Sequence, residues 1–233
     1  MLRYLALVAL LICLAGPVAA APLSTEALVE GFDRIAFGTE IPGLFGGGRY
    51  IKKFVGPVAF FVENHARKDR TREVKTFVAG LPRQIAGLET RFATTAGEAR
   101  FVVHVVDAAD YQRVGRKIFR NPFRRVPGSC IVRADYGRNG IRRADALIVS
   151  DDGEPAFRRC LVEEVLQGLG PLDDYDGAPE SVFNDSSTTT RFGRYDRIML
   201  NMLYDPRLTP GMSLEAARPV LPIVAEAVRR RVR

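Results

Sequence analysis

Polar and apolar positions along this chain follow two rhythms, one of period two and one near 3.6, and the switches between them mark out the elements. "STEALVEGFDRIAFG" reads as a helix capped at Ser24 or Thr25. "EIPGLFGGGRY" is a glycine-rich break, and no helix with a Lys-Ser/Thr end follows it, so a phosphate loop is not supported. "YIKKFVGPVAFFVEN" predicts two short β runs separated by Gly56-Pro57, at an edge strand or a bulge. "RTREVKTFVAGLPRQIAGLETRFA" has helical spacing, broken or kinked near Pro82.

"ARFVVHVVDA" has the length and β-branched content of a buried strand, and a short helix follows near "ADYQRVGRKIF". "GSCIVRADY" and "ADALIVSDD" predict two further strands. "EPAFRRCLVEEVLQGLG" is then a helix, opened by Glu154 and Pro155 and closed by glycines. The polar stretch "PLDDYDGAPESVFNDSSTTTRFG" predicts a long irregular connection, which inside a compact domain is usually functional. "RYDRIMLNMLYDP" is helical until Pro206, and "SLEAARPVLPIVAEAVRRRVR" predicts one closing helix capped by Ser213. No internal repeat interrupts this order. The class is α+β: a mixed β-sheet, a central helix and a C-terminal helical lobe.

The N-terminus stands apart from this pattern. "MLRYLALVALLICLAGPVAAAPL" offers one cation, Arg3, an apolar run and small residues ending in "VAA", the form of a secretory signal peptide cleaved after Ala20. Bulky Ile12 before Cys13 disfavours the lipid-anchored alternative. The expected organisation is therefore a signal peptide at 1–20 and one α+β domain at 21–233, acting in the periplasm or outside the cell. No later run is apolar enough to span a bilayer.

Export changes the reading of the cysteines. Cys130 and Cys160 remain, and a disulfide between them is expected in an oxidising compartment, with a buried free pair as the alternative. Neither has a neighbour at the spacing of a zinc site. The net charge of +7 is concentrated in "GRKIFRNPFRRVPG" and "RRRVR". Such runs are solvated faces or contacts for an anionic envelope component, lipid head groups or wall polymer. Nucleic acid is not expected, because no recognisable binding motif is present.

The candidate chemistry lies in "CLVEEVLQGLGPLD", residues 160–173. Cys160, Glu163, Glu164 and Gln167 form one polar stripe, while Leu161, Val162, Val165, Leu166 and Leu169 cover the rest of the helix. A helix so apolar is central, and two glutamates on it need partners, a cleft open to water, or raised pKa values.

This stretch resembles the zincin peptidases, whose HExxH helix grips zinc with two histidines while the glutamate activates water. In the metzincin branch, HExxHxxGxxH or its Asp-ended form adds a glycine turn, a third ligand and a methionine turn beneath the metal. On that pattern Glu163 stands at the first histidine, Glu164 at the catalytic glutamate and Gln167 at the second histidine. Gly170 matches the turn glycine and Asp173 the third ligand, and "NMLYDP" offers Met202 and Tyr204 at a methionine turn's spacing. The alternative is an unrelated α+β domain. A second resemblance covers nearly the whole chain after the signal. "FDRIAFGTE", "CLVEEVLQGLGPLDD", "SVFND" and "MLNMLYDPRLTPGM" are similar to a secreted proteobacterial family catalogued as domain of unknown function 2927, which implies export and one domain but no chemistry.

Zinc itself is not expected, nor is any cofactor, because a glutamine carbonyl is a poor substitute for imidazole. The two histidines cannot restore the site: His104 in "FVVHVV" reads as a satisfied structural histidine and His65 as a solvated one. Glu163, Gln167 and Asp173 could form an oxygen-only site for calcium or magnesium. Otherwise the glutamates are hydrogen-bonded or paired to arginines. The leading expectation is a binding protein whose cleft uses Glu163, Glu164, Gln167, Asp173 and Tyr204, with Gly170 and Met202 shaping the turn. The alternative is a hydrolase using Glu164, either a peptidase with an altered metal or a carboxylate-only wall-glycan hydrolase drawing on Asp173, Asp174 or Asp185.

Overall fold

The computed structural model describes residues 23–38 and 49–232. The expected signal peptide and most of the glycine-rich break lie outside the described residues. The first helix is α1, Thr25–Phe37, capped by Ser24, whose hydroxyl accepts the Ala27 N–H at 3.1 Å. The remaining elements are β1 (Val58–Asn64), α2 (Thr71–Gly80), β2 (Thr90–Phe92), β3 (Phe101–Val106), α3 (Ala108–Ile118), β4 (Cys130–Gly137) and β5 (Gly140–Val149). They are followed by α4 (Glu154–Gly168), α5 (Arg194–Leu203), α6 (Leu214–Ala217) and α7 (Leu221–Arg231).

The strands form one mixed sheet in the order β2-β1-β3-β5-β4. β1, β2, β3 and β5 run parallel, and β4 closes one edge antiparallel to β5. The fold is therefore α+β with a mixed sheet. Alternation along each strand sends successive side chains to opposite faces. Phe60, Phe101, Val103, Val105, Ala144, Ala146 and Ile148 point into the main core, shared with α1, α2, α4, α5 and α7. Val106, Leu147 and Val149 point the other way, into a smaller cluster with Tyr111 and Val114 of α3. One face is thus thickly covered, and the other carries α3.

Three details differ from the sequence pattern. Residues 50–64 give one strand rather than two, and β1 is internal, because Gly56-Pro57 precede the ladder and leave every β1 donor free to pair. Within the run expected to be helical through Phe92, α2 ends at Gly80, a 3₁₀ turn spans Leu81–Arg83, and Thr90–Phe92 joins the sheet edge as β2. The closing helix is two helices, α6 and α7, parted around Pro219; Ser213 does cap the first, accepting the Ala216 N–H at 3.2 Å.

Lys52 and Lys53, adjacent in an irregular segment, are both buried. Lys52 Nζ donates to the Gly38 carbonyl at 3.0 Å, at the C-terminal end of α1. Lys53 Nζ donates to the carbonyls of Leu203 (2.9 Å) and Asp205 (3.1 Å), at the end of α5. Each amine fills the orphaned, negatively polarised end of a helix, where a cation is electrostatically favoured. Burial nevertheless lowers both to about 8, against the pull of Asp173 on Lys52 and of Asp205 on Lys53.

Candidate functional site

The α4 helix is buried along both its apolar and its polar stripe, Glu163, Glu164 and Gln167 included. It lies so close to the sheet that a Cβ added at Gly168 would sit 2.4 Å from the Phe101 ring. The polar stripe is engaged from within the protein. Arg159, one turn before Glu163, donates to its Oε1 at 3.1 Å, to the Ser187 carbonyl at 2.5 Å and to the Asn184 carbonyl at 3.3 Å. Gln167 Nε2 donates to Asp174 Oδ1 at 3.0 Å, and Glu164 has interactions inside the chain as well. Arg159 thus fastens the helix to the long connection after it, which is anchored further by buried Val182 and Phe183.

The turn after α4 depends on Gly170. Its φ of +141° is a conformation L side chains rarely adopt, and a Cβ there would lie 2.1 Å from the Lys52 carbonyl. The segment after α5 supports this turn: Tyr204 Oη donates to the Leu169 carbonyl at 3.0 Å, and Met202 is fully buried nearby in the core. Burial pushes the Tyr204 phenol up. Asp173 turns away from Gln167 toward the end of α1, where a Cβ on Gly38 would be 2.0 Å from its Oδ2. The carboxylate that meets Gln167 belongs instead to Asp174.

Two sets of groups here have metal-like proximity. Glu163, Asp174 and Asp185 bring carboxylate oxygens within 4.8 Å of one another, a hard-cation set in chemistry. The Arg159 guanidinium, already bonded to Glu163, supplies positive charge at that spot. Cys130, Glu163 and Glu164 are equally close, but the Cys130 sulfur is bonded to Cys160 at 1.98 Å and offers no thiolate. That disulfide, expected from the sequence, joins the start of β4 to α4.

A large cavity lies on the other side of the sheet, beside α3. It has a volume of about 1030 Å³. At its floor, His104 of β3 stands opposite Glu63 of β1 in register. Its Nδ1 is 2.6 Å from Glu63 Oε2, and its Nε2 is 3.1 Å from Asp145 Oδ1 on β5. An ionised carboxylate only accepts, so both contacts are hydrogen bonds when both ring nitrogens carry protons. Burial pushes the Asp145 carboxyl up, but hydrogen bonds from His104 and Arg143 outweigh it and hold the group below the usual range. Arg143 also donates to the carbonyls of Ala96 and Ala99, at 3.2 and 3.1 Å. The rim adds Arg113, Lys117 and Arg120, from α3 and the turn that follows.

The sequence pointed to His104 as a satisfied histidine, and its ring is indeed bonded on both sides. The cavity around it was not apparent, because Glu63, His104 and Asp145 are each separated by 41 residues and only the sheet register aligns them. His65 is half-exposed beside Glu63, 3.4 Å away.

These features define an α+β fold whose sheet separates the buried, internally bonded α4 from an open polar cavity. The chain belongs to the family described as "Protein of unknown function (DUF2927)", whose model matches residues 25–223. No curated protein matches it. Among the described residues, no helix is long and apolar enough to cross a membrane.

Proposed function

We propose that this chain is an exported binding protein with a metzincin-like scaffold that no longer performs zinc peptidase chemistry. The observation that carries this reading is the engagement of the motif helix. Arg159 is bonded to Glu163 where a peptidase would place a zinc-bound imidazole, and Gln167 is turned onto Asp174. The scaffold half of the reading is supported by the turn at Gly170 with Tyr204 bonded over it.

Ligand binding then belongs to the cavity around His104. Both ring nitrogens of His104 lie against carboxylates of the protein itself, so the floor suits recognition better than proton transfer to a ligand. The floor carboxylates accept from hydroxyl or amine donors, and Lys117 and Arg120 offer an anionic group its partner. The class of ligand that fits is a small, hydroxyl-rich acid such as a sugar acid.

Calorimetric titration with glucuronate, and with glucose as the uncharged control, tests this. Binding of glucuronate alone, weakened about tenfold or more by Lys117→Ala with Arg120→Ala, is the expected result. Stoichiometric zinc in the purified protein, with peptide cleavage abolished by Glu164→Gln, would overturn it.

A further inference from the structure

The turn between α3 and β4 is anchored by Val126 and Phe119 in the smaller core cluster, but the composition of its outer part is unusual. Between Asp110 and Asp135 the chain has no acidic residue, while Arg116, Lys117, Arg120, Arg124 and Arg125 crowd into "RKIFRNPFRR". In the middle of them stands Phe123, 94% exposed, against 61% for Ile223 and 56% for Val55. A large aromatic held fully in water among five cations is a combination that solubility alone does not favour.

The exposure is built in. The α3 helix closes with the Asn121 N–H on the Arg116 carbonyl and the Arg120 N–H on the Lys117 carbonyl, both at 3.1 Å. This is a closure that usually takes a glycine, yet here Arg120 adopts the left-handed conformation, with φ 53°. Beyond it, Asn121 Oδ1 accepts the Phe123 N–H at 3.0 Å, and Arg116 Nε donates to the Arg124 carbonyl at 3.2 Å. The Arg124 guanidinium lies 4.0 Å over the Phe119 ring, so Phe119 is covered while Phe123 is not. The result is a fixed turn that presents an aromatic tip within a run of cationic residues.

We propose that this turn docks the protein on an anionic lipid bilayer, with Phe123 entering the boundary between head groups and acyl chains and the surrounding cations meeting lipid phosphates. Charge alone would suit any polyanion, including a wall polymer. Phe123 decides for lipid, because only a bilayer offers an apolar layer directly beneath a sheet of negative charge. The proposal does not rest on the ligand assigned to the cavity, and each can fail without the other.

The chain contains no tryptophan, so Phe123→Trp introduces a single fluorescent reporter at the tip. Vesicles of phosphatidylcholine, alone or mixed with phosphatidylglycerol, are the probes. Every variant carries the same N-terminus, so differences among them report the turn alone. The expected result is a blue shift of the indole emission of Phe123→Trp on mixed vesicles, absent on phosphatidylcholine and reversed by high salt. Phe123→Ser should weaken partitioning about tenfold. Arg125→Glu should weaken it about twenty-five-fold, two charge units at about fivefold each. Both side chains are exposed, so unchanged thermal unfolding will establish that the variants fold. No shift on anionic vesicles overturns the proposal. So does vesicle binding that falls with Arg125→Glu but ignores Phe123→Ser, which would mark a contact for soluble polyanions instead.

Discussion

Arg159 bonds both within α4 and to the long connection after it. Its guanidinium joins Glu163, Asn184 and Ser187, so it neutralises a buried carboxylate and fixes the long connection at once. The nearby carboxylates of Asp174 and Asp185 make the loss of this cation worse, since three acids would then share one place. Arg159→Ala should destabilise the fold by about 3 kcal/mol, the range for breaking a largely buried pair. Arg159→Lys should recover only part of this, because an ammonium cannot span three acceptors as a planar fork does. Urea unfolding of the two variants checks both, and equal stability of Arg159→Ala and the parent would remove Arg159 from this role.

Among the elements, β4 and α4 are joined covalently as well as by packing. The Cys130–Cys160 bridge closes a separation of 30 residues that contains β4, β5 and the turn into α4. In the chain-entropy account such a loop stabilises by about 3.5 kcal/mol. The paired change Cys130→Ala with Cys160→Ala should lower the unfolding free energy by about that amount, measured by urea titration, and reduction of the parent should match it. The elements legible in the sequence were those with one dominant signal. β3 and β5 are apolar enough to identify as buried strands, and α4 declares itself by Pro155 at its start and glycines at its end. β2 was hidden because Thr90, Arg91 and Phe92 are mostly exposed at an edge and carry no alternation. The two lysines were missed because "KK" normally signals water, and only the fold brings Lys53 to a helix end 150 residues away. The helix α4 was legible from its spacing, yet Asp174 rather than Asp173 meets Gln167, a one-residue choice set by the path of the chain after Gly170.

At the scale of the whole molecule, buried titratable groups shape how stability varies with pH above neutrality. Burial lowers Lys52 and Lys53 to about 8, whereas in the unfolded chain they titrate near about 10.4. Between those values the unfolded chain binds more protons than the folded one, so these lysines make stability rise with pH. Below about pH 8 both amines are charged in either state, and the penalty of burying them is fully present. The gain by about pH 10 is on the order of 2 kcal/mol for each lysine. The tyrosines act in the opposite sense. Burial raises Tyr111, Tyr195 and Tyr204, so above about pH 10 the unfolded chain loses phenolic protons that the folded one keeps, and stability falls. Urea midpoints should therefore climb from about pH 8, reach a maximum near about pH 10 and drop beyond it. Lys53→Met should flatten the climb without moving the fall, because it removes one lysine and no phenol. A midpoint that stays level or declines from about pH 8 to about pH 10 would mean the two amines are not the buried, helix-end cations described above.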